Sequence, residues 1–324
     1  MTKQIQPNYI DANFPAKQEY QTEEIDFREL FRAIFQGKWI IAAITAVFAI
    51  VSVTFAVMLP DIYKSEALLA PASEEQNGSM NGLAGQFGGL ASLAGINFGA
   101  SGGVDKVKMA IEVMKSRQFT NDFIQNHNIL PDLMAAKKWN MSDDSISYDN
   151  EIYDVSKNKW LRKVNPPYKA KPSMQEAFNE FRQIMDVHID KENSMITVAV
   201  KHLSPTVAYQ WVTWLVKDIN KVMKERDVNE ANRSTEFLTT QIGLTNVADI
   251  RSVLYKLIEE QAKTIMFAEV RDEYAFKTID PAIIPEVKSS PKRGIISILG
   301  TLIGFMLGFS IVLIRYAMKS KSPN

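Results

Sequence analysis

The sequence has no cysteine. That excludes a disulfide framework, a cysteine zinc site and a thiol nucleophile. It has three histidines, His127, His188 and His202, and none falls in an HExxH pairing. No metal site and no cofactor is therefore expected. There is no excess of charge either, since 37 Lys and Arg balance 37 Asp and Glu. Nucleic-acid binding rests on surplus positive charge, so no nucleic-acid partner is expected. Glycine is scarce outside one segment: nine of the 15 lie between Asn77 and Gly103. That segment contains neither GxxxxGK[ST] nor GxGxxG, so it is not read as a phosphate loop.

What is present is two long apolar runs. Trp39–Leu59 and Gly294–Ile314 each hold 21 residues without a charge. As helices each spans about 31 Å, against about 30 Å of bilayer hydrocarbon. Both read as transmembrane helices, at 39–59 and 294–314. The first is too long for a signal-peptide core, and FAVMLPDIY offers no small-x-small cleavage site, so an uncleaved anchor is expected. Two spans put both termini on one side and residues 60–293 on the other. Arg28, Arg32 and Lys38 precede the first span and only Lys64 follows closely, which favours a cytoplasmic N-terminus. Around the second span the charges tie: Lys288, Lys292 and Arg293 before it, Arg315, Lys319 and Lys321 after.

Residues 1–23 are polar and aperiodic, a flexible cytoplasmic tail. In IDFRELFRAIFQGKW, Phe27, Leu30, Phe31, Ile34 and Phe35 share one helical stripe. An amphipathic interfacial helix is expected over 24–38. IYKSEALLA reads as a strand. The Gly-rich loop 77–103 is too flexible for regular structure. Yet Leu83, Phe87, Leu90, Leu93, Ile96 and Phe98 are apolar. Two readings stay open there: a plain surface loop, or one that orders against a neighbour, a partner or the membrane. Residues 104–127 have helical spacing, and 140–172 read as loop. Ser173 and Glu176 form a capping box, and VHIDKENSMITVAV reads as two strands around a turn at Lys191–Ser194. Ser204-Pro205 is the strongest helix start, opening a run to about Ile242. A second helix, about Val247–Phe276, can return antiparallel to it. The expectation is an α+β membrane protein. Two transmembrane helices flank an α/β base (60–76, 104–204 and 271–293) with a long antiparallel helical arm (205–270), and 315–324 forms a short tail.

The order of these segments resembles a known family. It runs from IDFRELFRAIFQGKW through a first span, IYKSEALLAP, a Gly-rich loop and IEVMKSRQFTNDFIQNHNILPDL. It continues with long helices, AEVRDEYAFKTIDPAIIPEVKSSPKRG and a second span. This is similar to the Wzz chain-length determinants, polysaccharide co-polymerases without a kinase domain. The likeness covers about 24–318 and rests on order rather than on any single motif. It implies a bacterial inner-membrane protein with a periplasmic domain, assembled as a ring of identical subunits. It implies no chemistry of its own. It implies a role in setting the modal length of a surface polysaccharide, commonly lipopolysaccharide O antigen. The partner would be a membrane polymerase extending glycan on undecaprenyl pyrophosphate.

Three groups of residues are candidates for that role. Gly300, Gly304 and Gly308 form a GxxxGxxxG ladder that admits another helix closely. It is expected to pack on the first span, which offers Ala42, Ala46 and Ala49, or on the polymerase. Pro281, Pro285 and Pro291 should make a semi-rigid strut into the membrane. Lys288, Lys292 and Arg293 would sit at headgroup level, against lipid or a lipid-linked pyrophosphate. The carboxylate pairs Asp143-Asp144, Glu259-Glu260 and Asp272-Glu273 have no nucleophile or metal ligand beside them, so an enzyme is not expected. Trp211 and Trp214 are read as core rather than as a sugar platform. The competing reading is a kinase-partnered co-polymerase or anchor in capsule or exopolysaccharide export. Only RYAMKSKSPN follows Ile314, which supplies neither a kinase nor a sensor output domain.

Overall fold

The computed structural model describes residue 32 and residues 34–72 and 102–320. The tail 1–23, most of the interfacial helix 24–38, the Gly-rich segment up to residue 101 and residues 321–324 lie outside the described residues. The chain divides into two compact units, Met1–Ala56 with Arg293–Asn324, and Val57–Lys292.

The first unit is built on two helices, α1 (Lys38–Met58) and the last helix, Arg293–Ser320. Both are long and apolar enough to cross a membrane. The last helix carries on through Arg315 to Ser320, residues read from sequence as tail.

The second unit contains, in chain order, β1 (Tyr63–Pro71), α2 (Gly102–Met114), α3 (Arg117–Asn126), α4 (Leu130–Met134), β2 (Ala136–Asn140), β3 (Ser145–Tyr148), β4 (Tyr153–Asp154) and β5 (Lys159–Trp160). It continues with α5 (Met174–Ile184), β6 (Met185–Ile189), β7 (Ile196–His202), α6 (Pro205–Leu244), α7 (Ala248–Val270) and β8 (Phe276–Asp280). The last helix of the chain is α8.

Its centre is a four-stranded antiparallel sheet of order β6-β7-β1-β8. On β1 the side chains of Ser65, Ala67 and Leu69 are buried, the two-residue period of a half-buried strand. The first five turns of α6 cover β1 and β7. Val207, Trp211, Leu215, Ile219 and Met223 make its apolar stripe, spaced three or four apart. Thus 205–223, placed by sequence in an arm, lie in the core. Trp211 is fully buried, tilted against Phe181 of α5 and against His202. Beyond Met223, α6 and α7 pack as a hairpin with a three-residue connection, and there only Ala231 and Ala268 are buried.

Local chemistry sets the element ends. Ser204 accepts from the Val207 N–H and Pro205 opens α6. Both halves of the Ser173–Glu176 capping box form. Arg162 also binds Glu176 at 2.7 Å. That ion pair, with the Ser173 N–H, pulls the Glu176 carboxyl down to about 2. Two expectations are corrected. Residues 104–127 are not one helix. The break falls at Lys115–Ser116, where the Ser116 hydroxyl accepts from the Phe119 N–H and restarts the chain as α3. The 140–172 stretch contains strands: β3 pairs with β2, which precedes it, and β4 pairs β5. These strands are too short and polar to stand out by alternation.

Candidate functional site: the helix pair and its lead-in

The three ladder glycines of α8 lie along α1, in antiparallel order. A Cβ added to Gly304 would lie 2.5 Å from Cβ of Phe48 and 3.3 Å from the Thr45 backbone. One on Gly308 would lie 3.1 Å from Cα of Ile41. At Gly300 the added atom would collide with the Ser52 side chain. Ser52 in turn donates to the Ile296 or Ser297 carbonyl at 3.4 and 3.3 Å. At Gly300 and Gly304 the helices are thus closer than a side chain allows, and at Gly308 a Cβ would fit only tightly. The partner face on α1 is Ile41, Thr45, Phe48 and Ser52. It is not the alanine stripe: Ala42 and Ala46 are exposed and Ala49 is half-buried. Small size marked those alanines in the sequence, but α8 needs them small only if they face it. They lie around the helix from the seam.

The lead-in runs from β8 to α8 beside β1. Ala282 is buried and the Ile283 carbonyl accepts from Ser65 Oγ at 2.7 Å. Nearer to α8 in sequence, Ile62 and Ser290 exchange backbone hydrogen bonds at 2.9 and 3.3 Å. Pro281, Pro285 and Pro291 sit in this stretch, which is docked on β1 and not a free strut. The three basic residues separate. Lys288 donates to Asp61 at 2.9 Å. Arg293 Nε donates to the Ala56 carbonyl at 3.0 Å, at the C-terminal end of α1 where carbonyls lack helical partners and favour a cation. Lys292 is exposed.

The other candidates are structural. Asp144 accepts from Trp139 Nε1 and from Thr206 Oγ1, both at 2.7 Å. Glu259 and Glu260 both pair with Lys263, and Glu273 accepts from the Thr278 N–H. No cluster of three metal-ligating side chains occurs among the described residues. Trp214 stacks on His127 with ring centroids 4.3 Å apart, and His127 Nε2 lies 2.8 Å from Asp218. His188 lies on edge strand β6 with its side chain outward.

His202 is buried, and Nδ1 accepts from the Ser204 N–H at 3.0 Å. The ring proton therefore sits on Nε2, which faces the Asp132 carbonyl at 3.1 Å. Burial pushes its pKa below 6.5, so the unfolded chain takes up the proton first on acidification. Stability is then full above pH 6.5 and falls as pH drops below it. We expect urea midpoints of the whole chain to decline from pH 7 to pH 5. His202→Gln should be less stable at pH 7 but show a flatter decline. An equal slope in both proteins would assign the decline to other groups.

Sequence reasoning missed Asn220. It is buried on α6 and makes four hydrogen bonds: to the Val216 and Phe276 carbonyls, both at 3.1 Å, and from the Ala275 and Phe276 N–H groups at 2.8 and 2.9 Å. The available signal was an asparagine on the apolar stripe, one residue after Ile219.

A family model, the chain length determinant protein Wzz, matches residues 23–127. No curated protein matches the sequence. Among solved structures, a full-length bacterial polysaccharide co-polymerase aligns over 91% of this chain and 99% of that one. Its identity is 13% and its TM-score 0.37. The matched stretch, about a third of the chain, includes α1, β1, α2 and α3 and is similar to the Wzz chain length determinants.

Proposed function

We propose that the protein is a non-enzymatic regulator that sets the modal chain length of a surface polysaccharide, lipopolysaccharide O antigen in the first instance. In this reading it sits in the bacterial inner membrane with two spans, both termini cytoplasmic and residues 60–293 in the periplasm. It works as a homo-oligomer on a membrane polymerase that extends lipid-linked glycan. The observation that carries the reading is the Wzz match over residues 23–127.

Two features support it. Both end helices are long and apolar enough to span. The α6–α7 hairpin leaves Phe237, Leu244, Val247, Ile250, Val253 and Tyr255 exposed. A two-helix pair can bury only one stripe of each helix, so a broad apolar surface on it favours packing among copies.

The test is a glycan gel of a deletion strain and its complemented form. Complementation should restore a modal band, and deletion should leave a smooth decay of lengths. An unchanged banding pattern with lost capsule would overturn the O-antigen reading.

A further inference from the structure

The lead-in from β8 to α8 shows an unusual surface. Ile283, Ile284 and Val287 are 69%, 50% and 77% exposed, within five residues of one another. This is no loose linker. Ala282 is buried beneath them, and Ser65, Asp61 and Ile62 of the neighbouring strand region hold the backbone and Lys288. An ordered segment that turns three aliphatic side chains outward needs something apolar over them.

The chain itself indicates what covers them. Val287 is six residues from Arg293, the first residue of α8, a reach of at most about 21 Å at ~3.5 Å per residue. Ile62, bridged to Ser290, is four residues from Met58, the last of α1, a reach of about 14 Å. The segment is therefore tethered at short range to the ends of both candidate spans. Its composition fits the border of a bilayer. Pro281, Pro285 and Pro291 carry no N–H to be left unpaired there. Lys292, exposed, follows at the place where a cation meets lipid phosphate.

We propose that Ile283, Ile284 and Val287 form an interfacial lipid anchor that dips into the headgroup–acyl boundary of the membrane spanned by α1 and α8. This rests on the membrane reading above and adds to it a third apolar contact, outside the spans.

The absence of cysteine permits a direct test. Single-cysteine variants Ile284→Cys and Val287→Cys are labelled with a small fluorophore in the full-length protein. Glu192→Cys in the exposed β6–β7 turn is the aqueous control, and Phe305→Cys on the outer face of α8 is the span control. The proteins are placed in phosphatidylethanolamine/phosphatidylglycerol vesicles with acyl chains brominated either near the headgroup, to reach labels at 284 and 287, or near the chain middle, to reach the label at 305. Labels at 284 and 287 should lose emission to bromolipid, as 305 does, and resist iodide. Quenching by iodide but not by bromolipid, as at 192, would overturn the anchor. So would shielding from both quenchers with disulfide cross-links between copies, which would give this face to a second subunit. Failure of bromolipid to quench at 305 would overturn the membrane reading and the anchor with it.

Discussion

Replacing Gly304 with leucine is expected to separate α8 from α1 and, on the proposed function, to erase the modal band of the glycan while protein level stays normal. A Cβ at this position already falls 2.5 Å from Phe48 Cβ and 3.3 Å from Thr45 Cα. Phe48 Cβ is not the loose end of a side chain, and Thr45 Cα is backbone. Neither can yield by rotamer change, so the helices must move apart. Overpacking of this kind costs about 1–3 kcal/mol even when only a methylene is added. Leucine adds several atoms and should lie at or beyond the upper end. Gly308→Leu, pressed against Ile41 backbone, should behave alike. Val47→Leu, exposed on α1 away from the seam, should change nothing. A spin-label pair on the exposed faces of the two helices, at Val47 and Phe305, reports the separation directly without filling the seam, and the glycan gel reports the consequence. If Gly304→Leu keeps the parent's label distance and leaves the band unchanged, the close approach has no functional role. If the distance grows and the band persists, the helix pair exists but length control does not pass through it.

Asn220→Ala is expected to give a large loss of stability in the second unit. Asn220 supplies what the sheet edge lacks. Phe276 on β8 stands opposite Pro71 on β1, and a proline has no N–H to donate to it. The Asn220 amide donates to the Phe276 carbonyl, and its oxygen accepts from the Ala275 and Phe276 N–H groups. Alanine leaves these backbone groups buried without partners, at about 1–3 kcal/mol each. A total near 3 kcal/mol, visible as a lower urea midpoint, is expected. Asn229→Ala, on the exposed side of the same helix, should stay within about 0.5 kcal/mol. Amide exchange at Ala275 and Phe276 should quicken selectively. Equal midpoints for the two alanine variants would show that the edge strand does not depend on this side chain.

The parts that could be read from the sequence are those whose cause is local. Twenty-one uncharged residues in a row determine an apolar helix whatever surrounds it, so α1 and α8 were visible at once. Ser204-Pro205 begins α6 and Ser173 with Glu176 begins α5, because a cap is a bond between a side chain and backbone three residues away. The turn at Lys191–Ser194 and the strands on either side followed from alternation. Ser116, which splits 102–126 into two helices, is the same kind of local cap. It was hidden by apolar spacing that runs unbroken across it.

The rest was settled by neighbours distant in sequence. The glycine ladder announced close packing, but its partners could not be named from composition. Ala42, Ala46 and Ala49 looked right by size, while Ile41, Thr45, Phe48 and Ser52 are the residues that face it. Asn220 gains its meaning from a strand 56 residues later. Lys288 and Arg293 read as two headgroup cations, yet one pairs with Asp61 and the other closes the end of α1. By itself the sequence determined where the chain is apolar, where helices begin and how the segments are ordered, because backbone propensity and hydropathy act over a few residues. Only the tertiary structure decided which face of each helix is used and which polar side chains are committed, because both depend on groups that folding brings from elsewhere in the chain.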